Sequence, residues 1–141
     1  MPYSCTIEKR MSAGYSKRSL AEKLGIKEGM RTLLLNEPKG YEGTLSVAAK
    51  KKIDGLFDFM QFFTADKSEL EKNFPKLKKA LAQAGMLWIS WPKGSSKVAT
   101  DLNENIVREI GLKNGLVDVK VCAVDETWSG LKFVYRTRDR K

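Results

Sequence analysis

Two short stretches hold the residue types from which a binding or catalytic site can be built. Pro92-Lys93-Gly94-Ser95-Ser96-Lys97 sets two ammonium groups and two hydroxyls on irregular backbone, a combination able to surround a phosphate or a carboxylate. It lacks the G-x-x-x-x-G-K-[ST] spacing of a P-loop, and a solvent turn explains it equally well. Asp125 and Glu126 stand beside Trp128 and Ser129. Adjacent carboxylates can serve as acid and base or hold a cation, yet in a hairpin loop they more often accept from backbone N–H groups or pair with Lys or Arg. Trp128 is either a stacking wall or a lid folded onto the core, with the lid favoured. The chain has no histidine, which removes triads and metal clusters built on it, and no metal ligand set is expected.

These stretches need elements to position them. Leu87-Trp88-Ile89-Ser90-Trp91 reads as a central strand covered on both faces, and pairing should stop at Pro92. Trp88 and Trp91 are expected to share one face of it and to pack in the core. A helix is expected to start at Asp101, with Glu104 completing a capping-box pattern, and to stop at Lys113-Asn114-Gly115. Asp66 and Glu69 repeat the cap spacing ahead of Leu70, Phe74, Leu77 and Leu81, the apolar stripe of a helix on a sheet. Pro75 inside it predicts a kink or two consecutive helices, and Gly85 is expected to close the segment.

Upstream, Phe57–Thr64 has the aromatic density and length of a strand. Met30–Leu35 is a short apolar strand ending at Asn36-Glu37-Pro38-Lys39-Gly40-Tyr41. Leu20, Ala21 and Leu24 mark a helix from about Lys17, closed by Gly25 in the left-handed conformation. Residues 42–56 fit one helical turn or a short strand, with Lys50-Lys51-Lys52 as a solvated edge. Downstream, Leu116–Val124 alternates with one half-polar face, as near a sheet edge. Glu126–Gly130 has hairpin-loop length, and Leu131–Tyr135 returns antiparallel. Cys122, on the same strand face as Lys120, reads as a buried inert thiol.

The 141 residues, 42% hydrophobic and 30% charged, suit one domain. Residues 1–16 read as a poorly ordered arm and 17–141 as a single α/β domain. The cysteines, Cys5 and Cys122, show no disulfide or zinc pattern. No stretch has the length of a membrane span or the form of a signal peptide, so a cytoplasmic protein without membrane contact is expected. Lys and Arg number 26 against 17 Asp and Glu, a net charge of +9. That excess can attract anionic partners, although a solvated surface is the commoner meaning. Nucleic-acid binding through the arm, Lys50–Lys52 and the basic tail Arg136–Lys141 is one alternative.

The order strand, helix, strand, helix, hairpin resembles the C-terminal half of S-adenosylmethionine-dependent methyltransferases. It implies a three-layer Rossmann-like, mostly parallel sheet of five to six strands ending in an antiparallel hairpin. More specifically, Leu24–Met30, Leu87–Val98, Gly115–Asp118 and Thr127–Leu131 resemble the bacterial family catalogued as domain of unknown function 3052. That likeness covers nearly everything after Gly14 and transfers no catalytic residue. The methyltransferase likeness implies a glycine-rich turn after the first strand and an acidic residue after the second. Here the turn has one glycine, Gly40, and only 20 residues, Glu37–Leu56, precede the next strand. Each strand-helix-strand crossover needs roughly a dozen residues or more, so the adenosine-holding half of the fold is expected to be truncated.

With parallel strands, the turns 36–41, 64–66, 92–97 and 125–130 should emerge on one rim. They would gather Asn36, Lys39, Tyr41, Asp66, Lys93, Ser95, Ser96, Lys97, Asp125, Glu126, Trp128 and Ser129, polar groups beside apolar walls. The preferred expectation is a non-catalytic domain, without a cofactor, that holds an anionic small molecule or anionic partner there. A methyltransferase with a non-standard cofactor site is the enzymatic alternative.

Overall fold

A computed structural model of the chain describes residues 19–137. The expected arm with Cys5, and residues 138–141 of the basic tail, lie outside the described residues. Five strands form one sheet in the order β1-β2-β3-β5-β4: β1 (Thr32–Leu35), β2 (Phe57–Phe63), β3 (Leu81–Pro92), β4 (Leu116–Ala123) and β5 (Trp128–Tyr135). β1, β2 and β3 are parallel neighbours, and β5 runs antiparallel to both β3 and β4. β4 therefore points the same way as the first three. This is the Rossmann-like sheet expected, with its antiparallel pair at the C-terminus.

Helices cover both faces. On one, α3 (Lys67–Lys79) and α4 (Glu104–Lys113) bury Leu70, Phe74, Leu77, Val107 and Ile110 against Met60, Phe62, Leu87, Ile89, Trp91, Leu131 and Phe133. On the other, the five-residue helices α1 (Leu20–Leu24) and α2 (Tyr41–Leu45) bring Leu24, Tyr41 and Leu45 to Leu34, Phe59, Phe63, Trp88, Cys122 and Val124. Ser19 and Glu22 form a reciprocal capping box on α1, and Gly25 ends it at φ 95°, the left-handed stop expected. Gly111 of α4 lies so close to Phe133 that a Cβ there would overlap the ring. The helix can approach the sheet this closely because glycine has no side chain.

Several expectations need correction. Trp88 and Trp91 lie on opposite faces, Trp88 with the α1/α2 cluster and Trp91 beside Ile89 with the α3/α4 cluster. Residues three apart on a strand must alternate. The helix after β3 starts at Glu104 with Asn103 as its cap, accepting from Ile106 N at 2.9 Å. Asp101 instead accepts from Lys67 N at 2.7 Å, tying that loop to the start of α3. Pro75 neither splits nor ends α3, which runs as a single helix from its Asp66 cap.

β3 begins at Leu81, before Gly85, because Leu81 pairs with Phe57 while Met86 pairs with Phe59, leaving an irregular stretch between. β1 begins two residues later than expected, and β5 three residues earlier. On β4 the register shifts between Asp118 and Lys120, and Val119 and Val121 point to solvent. Of the two alternatives for residues 42–56 the helical turn is the one formed, as the end of α2, while Lys50 makes an isolated parallel bridge to Leu33 in place of a strand.

Candidate functional site

The C-terminal ends of β1, β2, β3 and β4 share one rim, and the β4–β5 turn closes over the end of β3. Pro92 pairs with Trp128, and Lys93 N donates to Thr127 O at 2.8 Å. The four turns singled out from the sequence are thus delivered to the same edge of the sheet.

Within that rim the residues fall into three groups. The first is aromatic and largely enclosed. Tyr41 is 4% exposed and meets Phe63 edge-on at 4.8 Å, and Phe63 meets Trp128 edge-on at 5.1 Å. Trp128 is half-buried against the α1/α2 core, as a lid would be. The Tyr41 hydroxyl points inward and donates to Gln61 Oε1 at 2.8 Å, and Gln61 Nε2 donates to Ser90 Oγ at 3.0 Å. Burial pushes the Tyr41 hydroxyl well above its ordinary pKa, and the charge of Asp125 adds to this while the bond to Gln61 opposes it. The phenol is therefore held neutral, as a donor.

The second group is the β4–β5 turn. Asp125 Oδ1 accepts from the backbone N–H groups of Thr127 and Trp128, each at 2.8 Å. This is the backbone-capping role weighed for it. Glu126 is exposed and Ser129 half-buried.

The third group is the 93–97 turn, a single 3-10 turn over Gly94–Ser96. Ser96 Oγ donates to Lys93 O at 2.7 Å and accepts from Val98 N at 3.3 Å, so this hydroxyl shapes the turn. Ser95 and Lys97 are exposed, and Lys97 adopts φ 68°. Lys39 is exposed on the turn after β1, and Asn36 Nδ2 donates to Glu69 Oε2 at 3.4 Å. Asp66 caps α3, and the Ser68 hydroxyl at 2.9 Å with the Ser68 N–H holds its carboxyl below the usual range.

Gln61 and Ser90 are not among the site residues expected from the sequence, although a polar residue inside a buried apolar run is a signal both carry. Their amide and hydroxyl are 1% and 0% exposed. Such groups persist in a sheet core when bonded to each other, as they are here.

Beyond β1, among the described residues, the sheet continues through Lys50 alone. Lys50 N donates to Thr32 O at 2.8 Å and Leu34 N donates to Lys50 O at 3.0 Å. Glu37 of the β1 turn and Glu42 of α2 both pair with Lys51. Glu42 also accepts from Ala49 N at 2.9 Å, and these bonds hold its carboxyl below the ordinary range. Lys51 is thereby engaged in two ion pairs. Among the described residues, no group of three or more Cys, Asp or Glu side chains is placed to hold a metal, and no helix is long and apolar enough to cross a membrane.

No protein-family model and no curated protein matches the chain. Solved structures do. A ribosomal protein L11 methylase from Lactobacillus delbrueckii subsp. bulgaricus superposes with a TM-score of 0.56 at 13% identity, over 83% of this chain and 75% of its own. Magnesium protoporphyrin IX methyltransferase from Synechocystis PCC 6803 with bound SAH gives 0.56 at 12% identity, over 77% and 75%. A TehB-like SAM-dependent methyltransferase from Corynebacterium glutamicum gives 0.52 at 12% identity, over 93% and 95%. The chain thus has the Rossmann-like fold of the SAM-dependent methyltransferases, and at these identities the likeness is one of fold.

Proposed function

We propose that this chain is a methyltransferase-fold domain that binds a small anionic molecule at the C-terminal rim and does not transfer methyl groups through the usual cofactor site. The observation that supports binding is the joining of the 93–97 and 125–129 turns over the end of β3, where the Lys93 backbone bonds that of Thr127 next to Trp128. In open α/β sheets this rim is where ligands sit. The likeness to the family of unknown function 3052 belongs to the same reading.

The residues at the β1 turn do not fit an adenosyl group held in the usual way. The usual mode has a glycine-rich turn after the first strand and a carboxylate after the second, whereas here the first turn carries one glycine, Gly40, and the second strand is reduced to the isolated Lys50 bridge.

Thermal unfolding with inorganic pyrophosphate tests the anion. The wild-type protein should gain in Tm and a Lys93→Ala/Lys97→Ala variant should not; equal shifts, or none, would overturn that part. Calorimetric titration with S-adenosylmethionine tests the other part. No heat is expected at millimolar ligand, and saturable heat would replace this reading with the enzymatic one.

A further inference from the structure

A second place on the molecule has the makings of a ligand site, away from the rim turns. Between α3 and the 52–55 loop, alongside the edge strand β1, lies a groove with a volume of about 560 Å³, within the ~300–1,000 Å³ of small-molecule sites. Its floor is apolar, formed by Leu35, Leu77 and Ala80, with Ile53 on one side, 43% exposed. Three lysines, Lys52, Lys76 and Lys79, line it, and its lining contains no carboxylate. We propose that this groove binds a small amphipathic anion, an aliphatic chain of medium length ending in a carboxylate, with the chain on the apolar floor and the head group among the three ammonium groups.

The placement of the neighbouring charges supports this assignment. Lys76, Lys78 and Lys79 all fall in the last turn of α3, where cations also complement the helix dipole. Lys78 faces the other way, its ammonium 5.9 Å from the centre of the Tyr135 ring. Lys51, next to Lys52, is neutralised by Glu37 and Glu42. Arg31, behind the loop, donates to the carbonyls of Leu56 and Asp54 and stacks on Phe57. The nearest acid in the chain, Asp54, lines the adjacent cleft of Lys50–Lys52 and not this groove. Among the described residues Lys52, Lys76 and Lys79 have no ion-pair partner within 4.0 Å.

Three like charges around an apolar floor repel one another and are relieved by an anion. The chain's own undescribed ends are poor occupants. Residues 1–18 carry Lys9, Arg10, Lys17 and Arg18 against Glu8, and residues 138–141 carry Arg138, Arg140 and Lys141 against Asp139. A second copy brings the same net charge of +9. An apolar body with a single negative end meets both the floor and the rim.

The test is calorimetric titration of the full chain with monomeric decanoate, with 1-decanol and acetate as probes of tail and head alone. Saturable binding of decanoate is expected, with 1-decanol and acetate each at least about tenfold weaker, since each lacks one half of the interaction. Lys76→Gln/Lys79→Gln should weaken decanoate by about tenfold, whereas the charge-matched Lys27→Gln/Lys72→Gln should not. Chemical shifts should move at Ile53, Leu77 and Ala80. No saturable binding, equal affinity for 1-decanol, equal weakening by both double variants, or association only with anionic vesicles would overturn the proposal. Since neither Lys93 nor Lys97 takes part, the result is independent of the pyrophosphate experiment.

Discussion

The two faces of the sheet are packed by different means. Against α3 and α4 the fully buried contacts are apolar: Phe74 meets Phe133 edge-on at 5.6 Å, Gly111 lets α4 settle against that same ring, and the helix-to-sheet hydrogen bonds, Tyr135 hydroxyl to Lys78 O at 3.0 Å and Arg108 Nε to Asp118 Oδ2 at 2.9 Å, are only partly buried. Against α1 and α2 the helices have five residues each, too short to persist by backbone bonding alone. They are pinned by buried hydrogen bonds, Trp88 Nε1 to Leu24 O at 2.9 Å and Tyr41 through Gln61 to Ser90. Both faces bury apolar clusters, but only the α1/α2 face adds fully buried polar bonds to its packing. The polar face is also the one on which Tyr41 and Trp128 of the rim are seated.

The largest test of this contrast is Phe74→Ala, which should lower stability by about 4 kcal/mol in urea unfolding, through lost transfer energy and a cavity. A loss no greater than that of Tyr41→Phe would erase the distinction. Gly111→Ala should follow at about 2–3 kcal/mol, because the added methyl must displace Phe133 or α4. Trp88→Phe keeps most of the ring but strands the Leu24 carbonyl, and about 2 kcal/mol is expected. Its signature should be local, with faster amide exchange in α1 before any change in α3. Tyr41→Phe should lower stability by about 1 kcal/mol by leaving Gln61 Oε1 without its donor.

The smallest effect concerns pH. Burial, and then the charge of Lys120 across the strand pair, hold the Lys132 ammonium below its ordinary value of 10.5. In the alkaline window that ends near that value the unfolded chain binds more protons than the folded one, so this group makes stability rise with pH. Lys132→Met should remove the rise, seen as the difference between the two stability curves. Tyr41 works in the opposite sense above its ordinary value of 10.0, since the unfolded phenol ionises first, so the comparison is sharpest below that point.

Much of the scaffold was legible in the sequence because local rules acted alone. Asp66 caps α3, Gly25 ends α1, and Phe57–Phe63 is a strand. The errors have equally local causes. Asn103 competes with Asp101 for the same cap, and a register shift at Val119 turns two valines outward on an edge strand. Pairing Trp88 with Trp91 ignored the two-residue period of a strand, which puts them in separate cores. The rim turns could be placed because four strands share one direction. The lysine groove could not, because Lys52 and Lys76 are neighbours only once β1, β2 and α3 have assembled. Nor does any spacing announce that Gln61 will meet both Tyr41 and Ser90.

The lone Lys50 bridge bears on behaviour in concentrated solution. A four-residue edge strand offers an incoming chain little to pair with, and Lys50 already occupies the outward-facing Thr32 carbonyl and Leu34 amide. Three consecutive lysines then stand where a foreign strand would have to dock, so the β1 border of the sheet is guarded against edge-to-edge polymerisation.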